Sequence, residues 1–179
     1  MLTSILGDMS SDLLIPKSKL DYLIRSAPFR YKVYNIPKRS GRGTRIIAQP
    51  ARETKLLQYW VLKNIFYDIP VHACATAYMS GTNIKKNAEV HSKNPYMLKL
   101  DFEDFFHSIK GGDFIRFLQK NDHLSILEED KKRLLRILFW LPSKNGELQL
   151  SIGAPSSPLL SNAIMYQFDK LIYDYCSEK

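Results

Sequence analysis

An acidic stretch that follows an apolar run constrains this 179-residue chain more than any other feature. Residues 97–100 are mostly apolar and lead directly into Asp101, after which two more carboxylates and three phenylalanines, two of them adjacent, follow by position 106. An ionised carboxylate at the edge of a core is costly unless it is paired or bound to a metal. Mg²⁺ is held by one or two carboxylates together with substrate phosphates. The stretch therefore predicts a buried strand that ends in half of a divalent-metal site. The alternative is a strand followed by an acidic helix start.

A second stretch, at 152–162, lies about 50 residues downstream and bears on that choice. It holds a turn rich in glycine and proline, and Pro158 stands where a helix can begin. Ser156 or Ser157 can cap that helix. In this order the two stretches resemble motifs A and B of reverse transcriptases, with motif A at 97–106 and motif B at 152–162.

The resemblance implies roles for particular residues. Asp101 would be a catalytic metal ligand beside the backbone carbonyl of Phe102, with Mg²⁺ as the cofactor. Gly153, Ala154 and Pro155 would support the template and the incoming deoxynucleotide. Many members of the family carry glutamine before the motif B glycine, where this chain has isoleucine.

Phe106 matches the position of the steric gate in the same family. A large ring there leaves no room for a ribose 2′-hydroxyl, which favours deoxynucleotides over ribonucleotides. The alternative is a core phenylalanine. If Phe105 and Phe106 are extended, their rings point to opposite sides, so we expect one in the core and the other at the gate.

Residues 30–50 predict a β-hairpin with a cationic tip, because two alternating segments flank a basic turn that holds two glycines. Such a tip is either a solvated turn or a phosphate grip. It resembles the fingers hairpin of reverse transcriptases, which implies that Arg45 contacts the incoming triphosphate. Lys38, Arg39 and Arg42 are candidate RNA contacts.

Two helices are expected between the hairpin and motif A. The first, over 52–67, has an apolar face for the core, while Arg52 and Lys55 oppose the helix dipole in its first turn. A surface role and a nucleic-acid contact both remain open for this pair. The second, over 82–91, contains Asn87 and His91 in an Asn-Ala-x-x-His pattern. On composition alone this is a polar helix end with a structural histidine.

The Asn-Ala-x-x-His pattern just before motif A resembles the element that distinguishes retron reverse transcriptases. That resemblance implies a structured noncoding RNA as the partner, serving as both template and primer, with Asn87 and His91 among its contacts. A solitary intron-type or phage-defence reverse transcriptase shares the other motifs but is disfavoured by this element. The remaining chain predicts helices over 1–28, 113–118 and 124–140, a strand at 148–152 and a last helix from 158 to about 175. That last helix should bury Leu159, Ile164, Phe168, Leu171 and Ile172.

Composition indicates the class of partner and the cellular compartment that we expect for this chain. The net charge of +8 suggests a polyanionic partner. Cys74 and Cys176 lack metal-ligand spacing and are typical of reduced thiols. No run has the length of a membrane span, and no basic leader precedes the first apolar residues. We therefore expect a cytoplasmic protein without a membrane partner, and the resemblance to retron reverse transcriptases implies that the cytoplasm is bacterial.

Together these features predict an α+β fold: reverse-transcriptase fingers with a partial palm, an incomplete right-hand polymerase fold. Residues 1–95 would form the N-terminal helices and fingers, and 96–179 the partial palm. The family's Tyr-x-Asp-Asp motif does not occur in these 179 residues, and two-metal chemistry needs ligands on both sides of the metal pair. We expect residues 1–179 alone to be inactive and to need a C-terminal polymerase half or a second chain.

The predicted function is that of the N-terminal part of a retron RNA-directed DNA polymerase. It would copy a structured noncoding RNA into RNA-linked single-stranded DNA in antiphage defence, with a retron effector protein as a further candidate partner. The alternative is a degenerate, non-catalytic half-polymerase that binds RNA as a scaffold. A downstream reading frame that carries Tyr-x-Asp-Asp would favour the enzyme.

Overall fold

A computed structural model describes residues 4–38, 41, 43–121 and 124–177. This part of the chain forms α-helices and one β-hairpin, which follows the second helix. The helices are α1 (Ile5–Leu13), α2 (Lys17–Ser26), α3 (Arg52–Asn64), α4 (Ile84–His91), α5 (Phe105–Ser108), α6 (Gly111–Lys120), α7 (Glu128–Leu138) and α8 (Ser157–Ser177). A 3₁₀ turn spans Ala27–Phe29, and the strands are β1 (Tyr31–Pro37) and β2 (Thr44–Pro50). The mixture of helix and strand is consistent with the predicted class, while the division at residues 95 and 96 stays a prediction.

The N-terminal helices are fixed by polar contacts at the start of α1. The Ser4 hydroxyl accepts a hydrogen bond from the Gly7 amide at 3.0 Å, which satisfies one free amide of the first turn. The buried carboxylate of Asp130, on α7, accepts another from the Ile5 amide at 3.1 Å. The predicted helical region 1–28 is divided at Leu14, which is left-handed with φ 54°, and at Pro16.

The hairpin lies over the range that alternation predicts. Its strands pair antiparallel from Tyr31 opposite Pro50 to Pro37 opposite Thr44. The other edge of β2 is also used, because the Ala48 amide donates to the Ile152 carbonyl at 2.9 Å. This bond attaches the motif B region to the hairpin.

The core lies where α1, α2, α3, α6 and α7 meet the first half of α8. Phe114 packs edge-on against Phe66, with ring centroids 6.1 Å apart, and against Phe139 at 5.5 Å. Each such buried side chain contributes about 1.5–3 kcal/mol relative to exposure. No helix in the described ranges combines the length and apolarity that crossing a bilayer would require.

The prediction of a strand that leads into Asp101 is wrong. Residues 97–100 have no regular structure, and Met97, Leu98 and Leu100 are exposed. A strand persists only where its amide and carbonyl groups find partners. None of the strand pairings or bridges within the described residues involves this segment.

The predicted strand at 148–152 forms only in part. Gln149 makes single bridges to Trp140 and Lys110, and the Leu150 amide donates to the Ile109 carbonyl at 3.0 Å. The segment is therefore extended and paired at individual residues, without a continuous ladder.

The prediction of buried apolar residues along the last helix is also wrong for the second half of that helix. Leu160 and Ala163 are buried, but Phe168, Leu171 and Ile172 are exposed. Only the first half of α8 packs against the core. An apolar stripe on a helix is buried only where another element covers it.

Candidate functional site

The predicted gate and the motif B turn meet in one cleft of about 320 Å³. Phe106 contributes its ring from α5, and α3 contributes a lysine and a tyrosine from one helical turn. The cleft thus joins residues that are far apart in sequence. Its lining comprises Lys55, Tyr59, Tyr78, Phe106, Ser151, Ile152, Gly153, Ala154, Pro155, Ser157 and Pro158.

Gly153 lets the motif B turn approach β2. Its φ is +116°, a conformation open to glycine and rare for residues with a Cβ. A Cβ at this position would lie 3.2 Å from the Ala48 carbonyl oxygen and 3.4 Å from Cγ2 of Ile47. Together with the bond from the Ala48 amide to the Ile152 carbonyl, this close contact fixes the cleft wall against the hairpin.

Arg45 does not line the cleft, but it lies on the adjoining face of the hairpin. Alternate residues of a strand share a face at about 6.8 Å spacing, so Arg45 is on the same side as Ile47, whose side chain lies next to Gly153. Arg45 is exposed and forms no ion pair within the described residues. Lys38 is likewise exposed, with its amide bonded to the Gly43 carbonyl at 3.1 Å. The candidates Arg39 and Arg42 lie outside the described residues.

Phe105 and Phe106 are helical, so the extended geometry on which the core-and-gate expectation was conditional does not occur. Both belong to α5 and both are half-buried, with ring centroids 5.5 Å apart. Asp104, with φ 45°, turns the chain into this short helix. Successive residues of a helix are about 100° apart rather than opposite. Phe105 accordingly stacks on Phe102 at 5.6 Å, while Phe106 reaches the cleft.

Asp101 is exposed and is not among the residues that line the cleft. The ring of Phe102 packs edge-on against Phe168 of α8 at 5.6 Å, which attaches this segment to the last helix. The side chain of Asp104, which precedes α5, makes no capping hydrogen bond to that helix. Within the described residues no group of three histidine, cysteine or acidic side chains is placed to hold a metal ion. The described part of the chain therefore does not by itself fit a metal pair.

The surroundings of His107, which follows Phe106 in the sequence, lower the pKa of its side chain. Burial lowers the pKa of His107, the nearby Asp104 carboxylate raises it, and Lys110 lowers it further. The ring also lies 6.0 Å from the Trp140 ring. The neutral imidazole is the form that this packing favours.

The retron-like element lies apart from the cleft. Asn83 caps α4 by accepting a hydrogen bond from the Lys86 amide at 2.9 Å. Asn87 and His91 are exposed and, four residues apart, share one face of this helix. Neither residue is among those that line the cleft.

The cleft lining also includes residues that were not among the predicted nucleotide contacts, and two tyrosines and a buried serine are the most informative of these. Tyr59 follows Lys55 by one turn on the exposed face of α3, and this interleaving of a cation and an aromatic ring was a usable signal. Tyr78 adopts φ 62° in a loop, which no local sequence pattern indicates. The Ser157 hydroxyl is buried at the cleft without a hydrogen-bond partner in the described structure, and buried polar atoms normally have one.

Comparison with known proteins identifies the family. The family model for reverse transcriptase (RNA-dependent DNA polymerase) matches residues 36–179. The Escherichia coli retron Ec83 reverse transcriptase is 39% identical over 174 residues, covering 96% of this chain and 55% of the relative. The E. coli retron Ec73 and Ec86 reverse transcriptases are 36% and 30% identical, covering 90% and 97% of this chain and 51% and 52% of those relatives. The chain spans about half the length of these curated relatives.

The resemblance drawn from motifs A and B and from the Asn-Ala-x-x-His element is thereby confirmed. The matched region includes β2, the cleft and the retron-like helix. This chain belongs to the reverse transcriptase family, within which it is of the retron type.

Proposed function

We propose that this chain forms the fingers and the first part of the palm of a retron RNA-directed DNA polymerase. The observation that carries the proposal is the cleft, which Phe106 and the turn of Gly153, Ala154 and Pro155 line together. Similarity to retron reverse transcriptases over nearly the whole chain supports it. The cleft is suited to a deoxynucleotide and the templating base that pairs with it.

The cleft residues would select and orient the nucleotide. The Phe106 ring would occupy the space that a ribose 2′-hydroxyl needs, and the close-packed turn at Gly153 would give a rigid surface beside the base. Arg45 would neutralise triphosphate oxygens from the adjoining hairpin face. Lys55 supplies a cation inside the cleft itself.

Reverse transcriptase domains use divalent metal ions, and we propose Mg²⁺ with Asp101 and the Phe102 carbonyl as ligands from this chain. Such ions stabilise charge on the transferred phosphoryl group. The other carboxylates would come from beyond the described residues, supplied by a C-terminal polymerase half or a second chain.

The proposed template is a structured noncoding RNA, and the product is RNA-linked single-stranded DNA. Asn87 and His91 would contact this RNA from α4, and the hairpin cations Lys38, Arg39 and Arg42 would contact its phosphates. Similarity to proteins described as retron reverse transcriptases supports this assignment. Antiphage defence in the bacterial cytoplasm, with an effector protein as a further partner, belongs to the same proposal.

Primer extension by a fusion protein tests the gate. Residues 1–179 would be joined to the part of the Ec83 relative that lies beyond the matched region. Phe106→Ala should keep DNA synthesis and admit ribonucleotides, whereas Phe105→Ala, which truncates the adjacent ring, should keep the discrimination. Unchanged discrimination in Phe106→Ala would remove Phe106 from the nucleotide site. If the unaltered fusion binds RNA but does not extend a primer, the scaffold function is favoured.

A further inference from the structure

The exposed face of α3 combines cations with apolar and aromatic side chains. At 100° per residue these side chains fall within about 100° of arc, on the side opposite the buried Leu57 and Val61. They span about 16 Å along the helix axis. The members of this α3 face are Arg52, Lys55, Leu56, Tyr59 and Lys63.

Tyr59 stands between two cavities. On one side is the cleft that holds Phe106 and the motif B turn. On the other is a groove of about 520 Å³ between α1 and α3, which Leu13, Lys63 and Asn64 also line. A linear ligand that runs from the groove into the cleft must therefore cross the tyrosine ring, which is more than half exposed.

The charges of the α3 face are available to a ligand. Within the described residues, neither Arg52, Lys55 nor Lys63 forms an ion pair, and the neighbouring Glu53 lies 3.8 Å from Arg30 instead. The acid that lines the groove, Asp12, accepts a hydrogen bond from the Trp60 indole at 2.8 Å. The face is thus cationic along its length.

We propose that the α3 face is the path by which the unpaired template RNA reaches the cleft. Tyr59 stacks against a base, and Lys55 and Lys63 contact phosphates on either side of it. Proteins that bind single-stranded nucleic acid combine a cationic groove with aromatic stacking platforms. Three unpaired cations on one helix face fit a polyanion better than an apolar protein segment. The inference rests on the proposed function, because it takes the cleft to be the nucleotide site.

Binding of a fluorescent 12-nucleotide oligouridylate to residues 1–179 tests the stacking contact. Tyr59→Ala should weaken binding by about 5-fold to 150-fold, the range for loss of one stacked base, while Tyr59→Trp should restore it. The matched control is Tyr22→Ala, since Tyr22 on α2 is 59% exposed and Tyr59 is 58% exposed. Equal affinities for Tyr59→Ala and the unaltered chain, or an equal loss in Tyr22→Ala, would overturn the proposal.

The salt dependence of the same binding tests the lysines. Lys55→Gln/Lys63→Gln should reduce the slope of log affinity against log salt by about 1.4, since each single-strand phosphate contact contributes about 0.7. Lys19→Gln/Lys132→Gln removes the same charge from exposed sites on α2 and α7 and should leave the slope nearly unchanged. Equal slopes for the two double variants would show that only net charge matters.

Template copying separates this inference from the proposed function. In the fusion protein, Tyr59→Ala should reduce kcat/KM at least 5-fold more on a template with ten unpaired nucleotides than on one with a single unpaired nucleotide. Equal reductions on both templates would contradict a template path while leaving the polymerase proposal intact. If the unaltered fusion makes no DNA, the proposed function fails, and the oligouridylate measurements still decide whether the α3 face binds single-stranded RNA.

Discussion

Substituting Gly153 with alanine should destabilise the chain because two costs combine at this position. The backbone conformation at φ +116° is strained for a residue with a Cβ, which costs about 1–3 kcal/mol. The added methyl group would also meet the Ala48 carbonyl oxygen at 3.2 Å, and overpacking of this kind typically costs about 1–3 kcal/mol. We expect the free energy of unfolding to fall by about 2 kcal/mol or more, equivalent to a decrease in Tm of about 4–8 °C for a chain of this size.

The assay is urea unfolding followed by circular dichroism, with Gly41→Ala as the control. Gly41 has φ +72°, but a Cβ there would have no neighbour within 4 Å, so this variant carries the backbone cost without the steric contact. Gly153→Ala should therefore be the less stable of the two by about 1 kcal/mol or more. Equal stabilities, or a neutral Gly153→Ala, would refute the close contact between β2 and the motif B turn that forms the cleft wall.

RNA binding by the chain should weaken as the salt concentration rises. The double variant Lys38→Gln/Arg45→Gln should reduce the slope of log affinity against log salt by about 1.4–1.8, because two phosphate contacts are lost. A flat salt response would contradict the phosphate contacts assigned to the hairpin. Burial lowers the pKa of His107 below its ordinary value of 6.5, so the unfolded chain takes up a proton at higher pH than the folded chain. Stability should consequently fall as the pH drops below about 6.5. His107→Gln should flatten this dependence in urea unfolding between pH 7 and pH 5, and an unchanged dependence would exclude His107 as its source.

Local patterns predicted the hairpin well. Alternation in both strands and two glycines between them are properties of residues close in sequence, and each strand is the ladder partner of the other. The amphipathic pattern of α3 similarly located its buried face, although the helix ends at Asn64 and not at residue 67.

Features that depend on distant partners were predicted less well. The apolar run at 97–100 has the composition of a strand, but composition does not specify a pairing partner. The second half of α8 has an apolar stripe at helical spacing that no described element covers completely. In both cases the residues were interpreted correctly as apolar and wrongly as buried.

The candidate site was predicted in its motif residues and not in its surroundings. Phe106 and the turn at 153–155 meet in the cleft although Phe106 lies in the short helix α5 and not in an extended segment. Tyr78 comes from a loop whose path depends on tertiary contacts, among them the bond from the Asn162 side chain to the Ala77 carbonyl. No pattern around residue 78 indicates that contact.

DNA synthesis by the fusion protein with Asp101→Asn tests the central claim most directly. Asparagine keeps the size of the side chain but removes the charge that a divalent metal requires. The unaltered fusion should extend a primer on RNA with Mg²⁺ and deoxynucleotides, while Asp101→Asn should abolish extension and leave RNA binding nearly unchanged. Residues 1–179 alone should not extend the primer. Full activity of Asp101→Asn in the fusion would contradict the assignment of motif A, and the acidic stretch would then be a structural turn before α5.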